Sequence, residues 1–410
     1  MKISRIHFIL FAMFIFPVFA VAMPKGIALV LAILGISSAG FLIYEKEWPQ
    51  MPSFMLMFIP GIIWAGLSII WSVSYLDSTN KLFQLIGVYI SVILFNDMLN
   101  KITENEKKRL KKAIIYIIIL VYIITLFDFA TNGKFTIMFA SLLGKNTKGI
   151  TTYVQTSPFL KNAAIIINLI LWVGLTVARI NVWKKFIVFI LSVFVLILLK
   201  SMTALASMII GGLLLVIYMY ARVYITVTLA IFFTIFIFIM PIMPKVLPPP
   251  MDILRAVPLI PNSMYHRLSI WEFVAEKISE KPIIGHGLDG SRAISGGKDQ
   301  IVVDINIPNR LTSIHTQERL PLHPHNSVLQ WWLELGLIGA LLFGLPISYA
   351  IYKIPVYFKE TLNQATALVI LTSSIIVSMS AYGFWQSWWL SLIGICFCIL
   401  KAVDKNDAST

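Results

Sequence analysis

The sequence predicts an all-α polytopic membrane protein with about twelve transmembrane helices and one large, partly helical loop on the extracytoplasmic side. Composition is the first reason. Hydrophobic residues make up 58% of the chain and charged residues 13%, against about 45–50% and about a quarter in soluble domains. The second is the recurrence of apolar segments at bilayer-crossing length, and the third is the one-sided placement of basic residues between them. Mean hydropathy is +0.85, and outside lipid so much apolar surface would aggregate. A cytosolic globular enzyme, a disordered chain and a collagen-like fibre are all excluded.

A spanning helix needs about 20 mostly apolar residues to cross about 30 Å of hydrocarbon. Segments of that kind lie at 6–22, 26–44, 53–73, 82–99, 113–130, 160–178, 186–199, 204–220, 224–243, 328–352, 366–379 and 382–400. Lys2 and Arg5 precede a first run ending Ala20-Val21-Ala22, a pattern that also suits a signal peptide. A second apolar run follows within four residues, so an uncleaved first helix of a hairpin is the preferred reading.

Placing the N-terminus in the cytoplasm and alternating puts Lys101, Lys107, Lys108, Arg109, Lys111 and Lys112 inside. Arg179 with Lys184 and Lys185, Arg222, Lys353 with Lys359, and Lys401 with Lys405 fall on the same side, as the positive-inside rule requires. The net charge of +14, from 33 Lys+Arg against 19 Asp+Glu, is therefore topology and calls for no nucleic acid. Cys396 and Cys398 lie two apart in one apolar segment and form no disulfide framework. With no His or acid cluster beside them they make no zinc site.

The organisation is then spans one to nine in 1–245, the loop in 246–327, spans ten to twelve in 328–400 and a cytoplasmic tail in 401–410. The loop holds five of the six histidines, His266, His286, His315, His323 and His325, with eight basic and eight acidic residues. A connection this long is usually functional or disordered, and the histidines favour function. Pro248-Pro249-Pro250 stiffens its start. Asn262 or Ser263 caps a helix to about Ser279, whose Leu268, Trp271, Ala275 and Ile278 share one face toward lipid or bundle. Pro282 ends it, and Gly285, Gly287 and Gly290 make a turn-rich stretch. Residues 295–319 have no clear periodicity and read as mobile.

His323-Pro324-His325-Asn326 stands directly before the tenth span. Asn suits a helix cap, and His325 near the positive end of the helix dipole is disfavoured as imidazolium. A neutral imidazole at the membrane surface can act as a general base. An interfacial histidine without chemistry is the plainer alternative, and it suits His266, His286, His315 and His323.

His325-Asn326, nine residues, then Gly336-Leu337-Ile338-Gly339 resembles the HN-x9-G-x-x-G signature of bacterial O-antigen ligases and their polymerase relatives. His266-Arg267-Leu268-Ser269-Ile270-Trp271-Glu272 and Pro282-Ile283-Ile284-Gly285 also resemble that superfamily. The resemblance implies an inner-membrane glycosyltransferase with its active site on a periplasmic loop. It implies transfer of a glycan from undecaprenyl diphosphate to a sugar hydroxyl of lipid A–core, inverting and metal-independent, with no cofactor. It assigns the base to His325 and a diphosphate contact to Arg267, with Asn326 and His323 in support. A planar guanidinium grips phosphate oxygens in pairs without losing its charge. The family's second arginine matches Met202 here, so Lys200, two residues away, and Lys161 at the start of the sixth span are the candidates to replace it. An ordinary snorkelling anchor is the plainer reading of each cation.

Glu334 inside the tenth span is a candidate by position, or part of a packing network. Trp331, Trp332, Trp385, Trp388 and Trp389 suit sugar stacking or an aromatic belt. Asp128 has Lys145, Lys148 and Lys161 as candidate partners. An O-antigen or exopolysaccharide polymerase and a protein O-oligosaccharyltransferase would share the donor chemistry. A lipid-linked glycan transporter fits less well, since no internal repeat or midplane charge cluster is evident.

Overall fold

The computed structural model describes residues 4–156, 159–257, 262–305 and 313–404, without the side chains of 262–263, 303–305, 313 and 315. The caps expected at Asn262 and Ser263, and the tail from 405, lie outside that description. In order, the helices are α1 (Arg5–Ala22), α2 (Ile27–Glu45), α3 (Ile59–Leu67), α4 (Tyr75–Asn100), α5 (Glu104–Ala130), α6 (Lys134–Leu142), α7 (Thr147–Thr156) and α8 (Lys161–Val177). There follow α9 (Val182–Leu198), α10 (Met202–Ile239), α11 (Met243–Val246), α12 (Pro250–Ala256), α13 (Asn262–Glu280), α14 (Ser327–Tyr357), α15 (Thr361–Ser378) and α16 (Ser387–Val403). The chain is an all-α polytopic membrane protein. Among the described residues, eight apolar stretches are long enough to cross a membrane, or nine if the bent pair α7 and α8 is one span. Helices α9 and α16 have 17 residues each. The segments expected at 204–220 and 224–243 run on as α10, interrupted at Arg222 (φ 37, ψ −107).

Helix α8 lies at the centre. Every residue from Ala163 to Gly174 is buried, as befits a helix that is apolar all round. Around it α10 packs on α14 and α15, α2 on α4, α1 on α5 and α4 on α16. Side chains sort the helix ends into two groups. At one end Arg5 pairs with Glu45, Lys101 with Glu47 and Asp97, and Asp404 accepts from the amides of Lys359 and Glu360. At the other lie the long loop and the connections α3–α4, α9–α10 and α15–α16, joined by the contacts described below.

The loop is more ordered than its sequence suggests. Residues 295–319, read as mobile, contain an antiparallel ribbon of β1 (Gln300–Ile305) and β2 (Ser313–Glu318), in register from Gln300 opposite Glu318 to Ile305 opposite Ser313. The face of α13 expected to meet lipid or bundle turns to the protein. Leu268, Trp271, Ala275 and Ile278 are buried, and α13 packs on α14.

The decisive packing is between the loop and a break in α14. Gly336 there has φ 67 and ψ −166, a region essentially reserved for glycine. The break frees backbone groups that the membrane interior cannot hydrate, so protein must satisfy them. Residues 282–287 do so. Leu337 N donates to the Pro282 carbonyl at 2.8 Å and Ile338 N to Ile283 at 3.3 Å, while His286 N and Gly287 N donate to the carbonyls of Leu333 and Glu334 at 2.9 and 2.7 Å. Trp64 Nε1 donates to the Leu335 carbonyl at 3.0 Å. A Cβ on Gly336 would overlap the Ile283 carbonyl, and one on Gly285 (φ 69) would overlap the backbone of Glu334. Gly336→Ala should therefore lower stability by about 3 kcal/mol and undock the loop. Gly40→Ala, whose added methyl meets nothing within 4 Å, should leave the Tm of the detergent-purified protein unchanged or raised. Equal Tm for both variants would refute the docking role.

Candidate active site

Asn326 caps α14: its Oδ1 accepts from Val328 N and Leu329 N, each at 3.1 Å. The turn before it is tight. His325 has φ 52, a left-handed conformation uncommon outside glycine. Its N–H donates to His323 Nδ1 at 3.1 Å, and the two rings lie 4.3 Å apart. His325 Nδ1 is 3.2 Å from the Ala381 carbonyl oxygen. A carbonyl only accepts, so in the neutral ring Nδ1 carries the proton and Nε2 keeps its lone pair. By the same logic His323, whose Nδ1 accepts, carries its proton on Nε2.

Ala381 belongs to the connector 379–386 between α15 and α16, and this connector gathers the site. Ser380 Oγ donates to Thr203 Oγ1 at 3.3 Å, and Tyr382 donates to Asn162 Oδ1 at 2.5 Å. A Cβ on Gly383 would lie 3.1 Å from the His323 ring. Phe384 N donates to Gln330 Oε1 at 2.8 Å. The starts of α8 and α10 thus reach the strand of chain that holds His325. Lys161 and Lys200 are the neighbours of those contacts; both are exposed. Lys200 has φ 53 and closes α9 through its N–H to the Ile197 carbonyl at 3.0 Å. Met202, at the position of the missing arginine, is 67% exposed, so no packing demand explains its apolar side chain.

Helix α13 brings in Arg267. Trp271, one turn further along the same face, donates from Nε1 to the Pro324 carbonyl at 2.9 Å, which pins α13 to the histidine turn. Arg267 bears electrostatically on His325. Burial first, then Arg267, pushes the His325 pKa down to about 4, against the Ala381 hydrogen bond that raises it. Burial, then the charges of His325 and Arg292, pushes His323 down to about 3. Burial also lowers Arg267. The neutral imidazole expected from the helix dipole is present for a different first reason, loss of water. His286, by contrast, is taken up at 2.9 Å by the Lys277 carbonyl. The His315 side chain lies outside the described residues.

Residues 186–344 match the family model described as O-antigen ligase. Over most of its length the chain is also similar to proteins named "Putative polysaccharide ligase". That of Rickettsia conorii is 29% identical over 372 residues, 88% of this chain and 82% of the relative. That of Rickettsia prowazekii is 28% identical over 356 residues, covering 84% and 79%, and that of Rickettsia typhi 29% over 361, covering 84% and 80%. The chain is thus similar to the O-antigen ligase family over residues 186–344 and to these ligases over most of its length.

An apolar cavity of about 520 Å³ runs through the bundle beside the site. One end reaches Ser327, Ser378, Met379 and Phe384, which flank His325 and Ala381 in sequence; the other reaches Gln50 and Lys401. The five tryptophans singled out by sequence are all buried, and Trp331 and Trp385 pack with Phe343 and Phe384. They are core, neither lipid belt nor open sugar platform. Asp128 accepts from Phe135 N, Thr136 N and Thr136 Oγ1, so it caps α6 instead of pairing with a lysine. Among the described residues no group of three His, Cys, Asp or Glu side chains could hold a metal ion.

The neutral form of His325 belongs to the fold. Its stabilising contribution is complete above the ordinary value of 6.5 and fades as pH falls toward about 4. Magic-angle-spinning NMR of [15N]histidine protein in lipid should find His325 with its proton on Nδ1 at pH 6, titrating near 4. A midpoint near 6.5 would refute this environment.

Proposed function

We propose that the chain is an O-antigen ligase. It transfers a glycan from undecaprenyl diphosphate to a sugar hydroxyl of lipid A–core in lipopolysaccharide biosynthesis, by a metal-independent, inverting mechanism. The observation that carries this reading is a neutral histidine, oriented by the Ala381 carbonyl and under the charge of Arg267, two residues from Ser327 in the lining of an apolar cavity within the bundle. A lipid-linked anionic donor calls for those three things together: a base, a fixed cation and apolar space beside them. The reading places the chain in the bacterial inner membrane with the loop in the periplasm, and the basic clusters at the opposite helix ends support that orientation.

The chemistry follows from the tautomer. His325 Nε2 takes the proton of the acceptor hydroxyl as its oxygen attacks the anomeric carbon. The bond from that carbon to the diphosphate oxygen breaks, and its electron pair leaves with the diphosphate. Arg267, with Lys200 and Lys161, stabilises that charge, while Asn326 and His323 hold the base in its turn. Before the donor binds, Arg267 disfavours imidazolium. A diphosphate paired with Arg267 cancels that effect, so the base strengthens as the reactive complex forms.

Deleting the gene should collapse the lipopolysaccharide ladder to bare lipid A–core, with polymer left on undecaprenyl diphosphate. Wild type should restore it, and His325→Ala, present in the membrane at normal amount, should not. A residual single-repeat band would make the protein a polymerase, an unchanged ladder would mean another acceptor, and full rescue by His325→Ala would remove the base.

Arg267→Lys keeps the charge and loses the paired contact. Hydrogen bonds to charged groups contribute about 1.5–3 kcal/mol, so kcat/KM for the donor should fall roughly 10–100-fold. Wild-type donor kinetics in that variant would exclude the diphosphate role.

A further inference from the structure

Glu334 has no part in the transfer as derived above, yet it is fully buried. A buried carboxylate is costly unless its lone pairs are used. Here all four are. Asp289 N donates at 2.7 Å, Ser291 Oγ at 2.5 Å, Gln330 Nε2 at 3.0 Å and Trp385 Nε1 at 2.5 Å. Among the described residues no cation pairs with it directly. Its own carbonyl accepts from Gly287 N.

Those donors come from three places. Gln330 lies one turn earlier in α14, Asp289 and Ser291 lie in the docked turn that follows residues 282–287, and Trp385 lies in the connector 379–386. The carboxylate therefore touches both segments that dock on α14. Its hold on the connector is doubled. Trp385 binds it directly, and Gln330, oriented by the same carboxylate through its amide nitrogen, uses its oxygen to accept from Phe384 N. Four residues before Trp385 stands Ala381, whose carbonyl orients His325, and between them Gly383 backs the His323 ring.

We propose that Glu334 is a positioning residue: its carboxylate locks the connector against α14, so that the Ala381 carbonyl stays opposite His325 Nδ1 and Nε2 is kept as the free lone pair. Glu334 touches neither substrate nor the reacting proton in this role. It acts through the backbone carbonyl of Ala381, four residues before Trp385 in the connector. An amide at the same place could accept on one side only, and its NH2 would oppose two of the four donors. A shorter acid would not reach all four.

The inference uses the base assignment of the proposed function, but its consequence can be read without any transfer assay. The groups that bear on His325 are Arg267 and His266 from α13 and His323 from its own turn, with Arg292 bearing on His323. Asp289 is the acid facing Glu334. None of these is altered by Glu334→Gln, so a change in His325 reports the connector.

The test is [15N]histidine NMR of the full chain in lipid nanodiscs, with the His325 signal identified by its loss in His325→Gln. In wild type the proton sits on Nδ1. In Glu334→Gln the signal should split between the two tautomers, and its titration midpoint should climb from about 4 toward 6.5 as water enters. Trp385→Phe removes one donor while keeping an aromatic ring, and should shift both quantities less, in the same direction. It also serves if Glu334→Gln fails to fold. A folded Glu334→Gln or Trp385→Phe with the wild-type tautomer and midpoint would overturn the proposal and leave Glu334 as packing alone. Failure of lipopolysaccharide complementation by wild type would overturn the ligase reading without touching this result.

Discussion

A helix interrupted inside a membrane protein must find new partners for the backbone groups it releases, and that requirement organises this structure. Of the groups the break at Gly336 turns away from the helix ladder, residues 282–287 meet two carbonyls and two amides, and Trp64 meets a third carbonyl. Neither partner is complete alone. The loop segment has no regular structure of its own, and α14 without it would expose unpaired polar groups. The long loop is thereby fastened to the bundle at a fixed place. From that fixed place α13 runs back across the site, carrying Trp271 to Pro324 and Arg267 toward His325.

The same docking explains how the histidine turn is held at the edge of the membrane without a stiff local fold. His325 adopts a left-handed backbone that costs energy, and its ring is fastened from two sides, by His323 within the turn and by Ala381 across from it. The connector that supplies Ala381 is itself held by contacts to α8, α10 and α14. Three helices thus agree on the position of one carbonyl. Such over-determination is what allows a strained residue to persist at a site.

The architecture was largely legible in the sequence because apolar length and positive-inside bias are additive signals that every span repeats. His325, Asn326 and the cap were legible too, since capping depends on a few adjacent residues. Pairings across the chain were not. Pro282-Ile283-Ile284-Gly285 and Gly336-Leu337-Ile338-Gly339 each stood out as a motif, but nothing in either names the other as its partner. Ala381 contributes only a backbone oxygen, which any residue type would offer, so no side-chain pattern could mark it. The ribbon at β1 and β2 escaped for a related reason: two six-residue strands carry little alternation, and their pairing is long-range. Tryptophans misled in the opposite sense. Their amphipathic ring suits a membrane interface in general, yet here the N–H groups of Trp332, Trp389 and Trp385 find buried acceptors in Ile237, Ser378 and Glu334, and Trp331 is buried against Phe343 and Phe384.

Burial also creates a difficulty in the proposed chemistry, which an anionic donor would relieve. A histidine pushed down to about 4 is a weak base, and transfer of a proton to it in the free protein would be unfavourable. The two causes of that weakness are separable. Loss of water is built into the docked fold and persists through the reaction, while the repulsion from Arg267 lasts only as long as that guanidinium lacks an anion. A diphosphate donor supplies the anion. Its charge grows as the glycosidic bond breaks, so the field favouring imidazolium is strongest at the moment the proton moves. Arg267 and His325 then act in sequence through one electrostatic coupling. In the proposed reaction the donor would then have to be in place before the base could work, which would protect the acceptor hydroxyl from activation without a glycan to receive.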